Sequence, residues 1–123
     1  MKKSVLIIED EKHIAEAQSL ILSDIYKVHH APDGEKGIEM ANKLKPHVVV
    51  LDIMLPKMSG YDVCKKIRAN AELKGTKIVM VTAKNQEIDE EEGMGIGADD
   101  YIMKPFEADE LKHVIEQVLG RKQ

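Results

Sequence analysis

The chain has 123 residues, a net charge of -4, one cysteine, three tyrosines, one phenylalanine and no tryptophan. This length accommodates one domain with an aliphatic core and is too short for two ordinary domains. The acidic balance argues against nucleic-acid binding, the lone cysteine excludes an intrachain disulfide, and no apolar stretch approaches membrane length. We therefore expect a single cytoplasmic domain over residues 1–123 that binds neither nucleic acid nor membrane.

Five short apolar runs predict five β-strands. The longer runs are continuous and rich in Val and Ile, which is typical of strands buried on both faces of a parallel sheet. The second run is mixed, as expected of an edge strand. In chain order, the predicted strands are Val5–Ile8, Tyr26–Ala31, Val48–Leu51, Ile78–Val81 and Tyr101–Met103.

Segments with helical periodicity separate the strands, and their apolar stripes predict the faces that pack on the sheet. Ser59 is placed to cap the third helix, Pro46 ends the second and Gly120 ends the last. Cys64 is predicted to be a buried helix residue and not a catalytic thiol. The stripes consist of Ile14, Ala17, Leu20 and Ile21; Ile38, Ala41 and Leu44; Val63, Cys64 and Ile67; and Leu111, Val114, Ile115, Val118 and Leu119.

The alternation of strands and helices predicts an α/β fold, a (βα)5 doubly wound parallel sheet. Right-handed crossovers leave few topologies, among which the strand order 2-1-3-4-5 reverses direction between the first and third strands. Ligands in such folds bind beyond the carboxyl ends of the strands, at the point of reversal.

The residues at those strand ends suggest phosphoryl chemistry. Glu9 and Asp10 follow the first strand, Asp52 the third, Thr82 the fourth and Lys104 the fifth. Three adjacent carboxylates repel each other, and a hard cation such as Mg²⁺ relieves that repulsion and can bridge to a phosphoryl oxygen. Asp52 is then a candidate nucleophile that forms an acyl phosphate, while Thr82 and Lys104 stabilise the phosphoryl charge.

Each of these residues also has an ordinary interpretation. Asp52 could be a helix N-cap or a solvated loop residue, and Asp10 could cap the helix that begins near Lys12. Thr82 could be a turn residue and Lys104 a surface lysine. The functional interpretation is favoured because four strand ends carry four complementary groups.

The same residues carry a family resemblance that extends along the whole chain. The chain resembles the receiver domain of two-component response regulators, which are CheY-like proteins with the flavodoxin-like strand order. The matching stretches are Val5–Glu11, Val50–Pro56, Ser59–Gly60, Val81–Lys84 and Gly97–Phe106.

The resemblance implies a role for each site residue. It implies that Asp52 is the phosphoacceptor and that Glu9, Asp10 and Asp52 hold Mg²⁺ together with the backbone carbonyl of Met54. It further implies that Thr82 and Tyr101 form a switch pair. Lys104 is implied to contact the phosphoryl group, with a cis peptide bond to Pro105. The small side chain of Ala83 is implied to leave the phosphoryl group access to the site, and Met54 and Lys84 to tune the rate of dephosphorylation.

The resemblance also implies partners. A histidine kinase or phosphotransfer protein is expected to dock on His13, Ile14, Ala17, Pro105 and Phe106, although Phe106 could equally pack against the last helix. The output is expected to be a downstream protein or a fused output domain, so the chain is either a stand-alone receiver or part of a longer regulator. A monomer and a phosphorylation-dependent dimer are both compatible with the family.

The fourth helical region, residues 86–97, departs from a typical helix. Gly93 and Gly95 each cost about 1 kcal/mol relative to alanine in a helix interior. Glu87 and Glu91 repel each other at i,i+4 spacing. We predict a short or mobile helix in the unphosphorylated state; the alternative is a normal helix held by packing of Ile88 and Ile96.

Two other functions compete with a signalling receiver. An aspartyl phosphatase or phosphotransferase usually has a second aspartate close after its nucleophile and a cap over the site, but residue 54 is Met and the chain leaves no room for a cap. A receiver that binds partners without taking phosphate is disfavoured because Glu9, Asp10, Asp52, Thr82 and Lys104 are all present. We therefore expect a signalling module and not an enzyme with a separate substrate.

Overall fold

Five parallel strands form one sheet in the order β2-β1-β3-β4-β5 in the computed structural model, which describes residues 2–83 and 97–120. The predicted order and the reversal between β1 and β3 are confirmed. Every residue of central β3 is buried, whereas edge strand β2 is mostly half-buried. The strands are β1 Ser4–Ile8, β2 Lys27–Ala31, β3 Val48–Asp52, β4 Lys77–Ala83 and β5 Asp100–Lys104.

Helices cover both faces of the sheet, as predicted for a doubly wound fold. One face carries a core cluster with α1 and α4, and the opposite face carries a cluster with α2 and α3. Within residues 2–83 and 97–120, no helix has the length and apolar character needed to cross a membrane. The helices are α1 Lys12–Leu22, α2 Gly34–Leu44, α3 Gly60–Ala69 and α4 Ala108–Gly120, with a short 3₁₀ turn at Ala71–Leu73.

The helix ends follow the local sequence. Ser59 caps α3, its hydroxyl accepting a hydrogen bond from the Asp62 backbone N–H at 3.2 Å, which confirms the predicted N-cap. Asp33 caps α2 in the same way through the Lys36 N–H at 2.7 Å. The α2 helix ends at Leu44 because Lys45 takes a left-handed conformation, with φ of 48°, ahead of Pro46. Residues 86–96 of the predicted fourth helix, 86–97, lie outside the described residues.

Two predicted apolar stripes match the buried faces only in part. Leu20 of α1 is 77% exposed, and the buried residues of that helix are Ala15, Gln18 and Leu22. In α2, the predicted residues Ala41 and Ile38 do pack in or against the core, but Leu44 is exposed, and the other buried residues are Gly34 and Gly37. Small residues and a glutamine carry a weak apolar signal, so the larger aliphatic residues beside them produced a misplaced stripe. The stripe of α3 is confirmed, and so is the buried position of Cys64.

Arg68 fixes the edge of the sheet opposite to the strand ends that carry the acidic residues. The Asp99 carboxylate accepts from Arg68 at 2.8 Å and from the Ile78 backbone N–H at 2.7 Å. This network joins the C-terminal turn of α3 to the starts of β4 and β5, and so supports the register in which Ala83 pairs with Lys104. The guanidinium also donates to the carbonyls of Gly97 (2.9 Å), Thr76 (2.7 Å) and Leu73 (3.3 Å).

Candidate functional site

Three carboxylates gather where β1 and β3 end. Glu9 and Asp10 follow β1, and Asp52 is the last residue of β3, which pairs with β1 through Ile8 and Leu51. One carboxylate oxygen from each of the three lies within 4.8 Å of the others. Glu9 is 2% exposed and Asp52 is 7% exposed, whereas Asp10 is open to solvent. The strand topology therefore brings together residues 42 or more positions apart in the chain.

Lys104 bridges the two buried carboxylates and is not a free surface lysine. Its ammonium group donates to Oε1 of Glu9 at 3.1 Å and to Oδ2 of Asp52 at 3.1 Å. The side chain extends from the end of β5 past β4 to Asp52 on β3 and to Glu9 beyond β1, and it is 25% exposed. The following peptide bond to Pro105 is cis, as the resemblance implies.

The remaining oxygens of the two buried carboxylates accept hydrogen bonds from the backbone. The Met54 N–H donates to Oδ1 of Asp52 at 2.9 Å, and the Glu11 N–H donates to Oε2 of Glu9 at 3.0 Å. All four oxygens thus have a donor, and the two carboxylates are held in fixed orientations.

The charges of the cluster do not balance. Burial raises the pKa of Glu9 from 4.5 to about 7, and the Asp52 charge adds to this rise against the opposing Glu11 N–H and Lys104 bonds. Burial alone would lower the pKa of Lys104, but the Asp52 and Glu9 carboxylates raise it above its usual 10.5. One ammonium group faces three carboxyl groups, so this site has an excess of negative charge. An all-oxygen set with one solvent-open carboxylate fits a hard divalent cation such as Mg²⁺.

Thr82 and Tyr101 occupy one face of neighbouring strands beside this cluster. Thr82 is buried in β4, one residue beyond Val81, which pairs with Asp52. Tyr101 pairs with Met80, and because side chains alternate along a strand, Met80, Thr82 and Tyr101 share a face. The ring of Tyr101 is half-buried and packs against the core under α2 and α3. Ala83 ends β4, and Lys84 lies outside the described residues.

An apolar groove of about 630 Å³ borders Lys104, between α1 and the turn after β5. All five residues expected to dock a kinase line it, together with Gln18 and Ile21, which were not predicted for this role. Phe106 both lines the groove and packs against the α1 and α4 core cluster, so the two alternatives for this ring are compatible. The groove residues are His13, Ile14, Ala17, Gln18, Ile21, Lys104, Pro105 and Phe106.

His30 is a contact of the site that sequence reasoning missed. Its ring Nε2 lies 2.7 Å from the backbone carbonyl oxygen of Glu9. The only signal in the sequence is its position one residue before the end of β2, next to the strand whose end carries the acidic pair.

Comparisons with known proteins agree with this geometry. The sequence pattern of the response regulator receiver domain matches residues 5–116. The transcriptional regulatory protein DltR of Streptococcus agalactiae is 51% identical over 108 residues, which is 87% of this chain and 47% of DltR. This chain thus spans about half the length of that relative.

Solved structures support the same assignment. The chemotaxis protein CheY4 of Vibrio cholerae superposes with a TM-score of 0.90 at 29% identity, over 96% of this chain and 99% of that one. The receiver domain of a Pseudomonas aeruginosa sensor histidine kinase has a TM-score of 0.84 at 27% identity, over 98% and 100% of the two chains. That structure holds a magnesium ion in its active-site cleft.

Proposed function

We propose that this chain, which belongs to the response regulator receiver domain family, accepts a phosphoryl group onto Asp52. We further propose that it signals through a partner-binding face. The observation that carries this proposal is the shared contact of Lys104 with Glu9 and Asp52, each at 3.1 Å. A lysine that bridges two buried carboxylates beside a third is expected at a site where these contacts are later replaced. A cation then binds the carboxylates, and the lysine binds a phosphoryl group.

The acidic cluster fits Mg²⁺, which Glu9, Asp10, Asp52 and the Met54 backbone carbonyl would hold. When bound, this cation would neutralise carboxylate charge and polarise a phosphoryl oxygen. The cation could enter from solvent on the side of Asp10, which is exposed. The backbone N–H bonds to the carboxylates of Glu9 and Asp52 restrict the motion of these two ligands.

Asp52 is the proposed nucleophile. One of its carboxylate oxygens forms a bond to phosphorus while the phosphorus–nitrogen bond of a donor phosphohistidine breaks, and the leaving imidazole nitrogen keeps the electron pair and takes a proton. Lys104 then shifts its ammonium group from a carboxylate oxygen to a phosphoryl oxygen, and the Thr82 hydroxyl donates to another. Met54 cannot act as a general acid, so the separate aspartyl phosphatase reading gains no support.

Thr82 and Tyr101 are the proposed switch. Movement of the Thr82 hydroxyl toward the phosphoryl group empties space on the face that it shares with Tyr101, and the half-buried ring turns further inward to fill it. Phosphorylation thereby favours one of two pre-existing arrangements and changes the surface offered to a partner.

The donor is a histidine kinase or a phosphotransfer protein, and we propose that it docks in the groove beside Lys104. Residues 1–123 form one receiver domain, acting in the cytoplasm without direct contact with nucleic acid. Because the relatives are about twice as long, the output is either a separate protein or a domain fused to this one, and the receiver acts as a monomer or as a phosphorylation-dependent dimer.

Intact-mass measurement after incubation with acetyl phosphate tests the proposal directly. We expect one added phosphate that requires Mg²⁺, disappears with EDTA and is lost in Asp52→Asn. A matched control is Asp33→Asn, because this aspartate caps α2 outside the cluster and asparagine is an equally good cap.

Beryllofluoride, a mimic of an aspartyl phosphate, covers the case of a short-lived adduct. Phosphorylation of Asp52 would be refuted if acetyl phosphate gave no adduct and if beryllofluoride with Mg²⁺ caused no change in the NMR spectrum of the protein. That result would instead favour a partner-binding domain that works without phosphate.

A further inference from the structure

His30 connects the edge of the sheet to the loop that carries the acidic pair. It lies on β2 opposite Ile7 of β1, with its Nε2 atom 2.7 Å from the Glu9 carbonyl oxygen. Because a carbonyl oxygen can only accept, Nε2 must carry the proton in this contact. The preceding residue, His29, lies on the opposite face of the strand, since side chains alternate.

The main chain of Glu9 is thereby held on both sides by the end of β2. Its N–H donates to the Ala31 carbonyl at 3.1 Å, and its carbonyl accepts from His30. The Glu9 carbonyl belongs to the same planar peptide group as the Asp10 N–H, so fixing it also fixes the direction in which the chain enters Asp10. The bond is therefore placed to orient both carboxylates that follow β1.

We propose that His30 is a positioning residue for the acidic pair, and that its Nε2–H bond to the Glu9 carbonyl raises the affinity of the site for Mg²⁺. This inference rests on the proposed function, because it assumes that Glu9 and Asp10 hold the cation. Contacts behind metal ligands act by reducing the motion that the ligands lose on binding, and their removal weakens metal affinity by about 10-fold or more. In this proposal His30 acts through the main chain of Glu9 and is not itself a ligand of the cation.

Calorimetric titration with Mg²⁺ at a fixed pH tests the role through three variants. His30→Phe keeps a ring and removes the donor, so we expect about 10-fold weaker binding. His30→Gln keeps an N–H donor and is expected to restore most of the affinity. His29→Ala, a change of the adjacent histidine on the other face, is the matched control and is expected to bind as the wild type does.

Long-range ¹H–¹⁵N NMR spectra of the imidazoles give a second test. They are recorded on the wild-type protein, so the result does not depend on whether a variant folds. We expect the Nε2–H tautomer for His30, and an Nδ1–H tautomer would overturn the proposal even if His30→Phe failed to fold. Thermal unfolding without Mg²⁺ separates positioning from general stability. If His30→Phe unfolds earlier but binds Mg²⁺ with wild-type affinity, the proposal is likewise overturned.

The two proposals fail in different ways. If the wild-type protein binds no Mg²⁺, the proposed function fails at its metal site and the role of His30 with it. If the wild type binds Mg²⁺ and both His30 variants bind it equally well, only the positioning role is wrong.

Discussion

Replacing Glu9 with glutamine is expected to stabilise the metal-free protein and to remove most of its response to Mg²⁺. Glu9 is 2% exposed, and its burial raises its pKa from 4.5 to about 7. The neutral form is therefore favoured in the folded state, so the wild-type protein loses stability as pH rises from about 4.5 through about 7. Glutamine matches the neutral carboxyl in shape and avoids this loss.

The size of the effect follows from the shift. A rise from 4.5 to about 7 corresponds to an upper bound of about 3 kcal/mol at 1.36 kcal/mol per pKa unit. The variant also weakens one of the two Lys104 contacts, so we expect a net gain of about 1 to 3 kcal/mol near pH 8. For a chain of 123 residues, each kcal/mol shifts the melting temperature by roughly 4 °C.

Thermal unfolding in EDTA, measured at several pH values between about 5 and 8, checks the sign and the size. The difference between Glu9→Gln and wild type should grow as pH rises to about 7 and level off above it. Addition of Mg²⁺ should raise the melting temperature of the wild type more than that of the variant, because only the wild type retains all three carboxylates. Glu16→Gln, an exposed glutamate on α1, is the control and should change neither curve.

A variant that is less stable than wild type in EDTA at about pH 8 would refute the reasoning. It would mean that the contact between Glu9 and Lys104 outweighs the cost of burying the Glu9 charge.

Three further predictions concern residues outside the acidic cluster. Gln18 is buried, and its Oε1 atom has no hydrogen-bond partner among the described residues, so Gln18→Leu should stabilise the protein by about 1 to 2 kcal/mol in urea unfolding; a loss would show that the amide is satisfied. Arg68→Lys removes the planar fork that joins Asp99 to three carbonyls and should cost about 2 to 4 kcal/mol in the same assay, whereas Lys66→Arg on the exposed side of α3 should be neutral. Burial raises the pKa of the Cys64 thiol to about 11, so a thiol reagent should label it only after unfolding, and rapid labelling of the native protein would contradict the buried position.

The strands and their order were predictable because their signal is strong and local. Continuous Val- and Ile-rich runs mark strands buried on both faces, and acidic or cationic residues directly after them mark one edge of the sheet. Val48–Asp52 shows this most clearly, since all five residues are buried and the last one enters the site. The cap of α3 was predictable for a similar reason, because Ser59 acts on a backbone N–H three residues away.

The helix faces were less predictable because burial depends on which side of a helix approaches the sheet. On α1 the residues Ile14, Ala17 and Ile21 of the predicted stripe line an open groove, while Ala15 and Leu22 are buried in the core. Periodicity finds an apolar stripe but does not distinguish a core face from a docking face when both are apolar.

The sequence by itself determined the chemical identity of the site: three carboxylates, a hydroxyl and a lysine, each at or near the end of a strand. Only the tertiary structure decided that Lys104 spans Glu9 and Asp52, that backbone N–H groups hold their remaining oxygens, and that His30 holds the Glu9 carbonyl. The end of a strand can be predicted from neighbouring residues in the sequence, whereas these hydrogen bonds join residues up to 95 positions apart. Their distances depend on the register of neighbouring strands and the packing of side chains at the sheet edge, which no local pattern specifies.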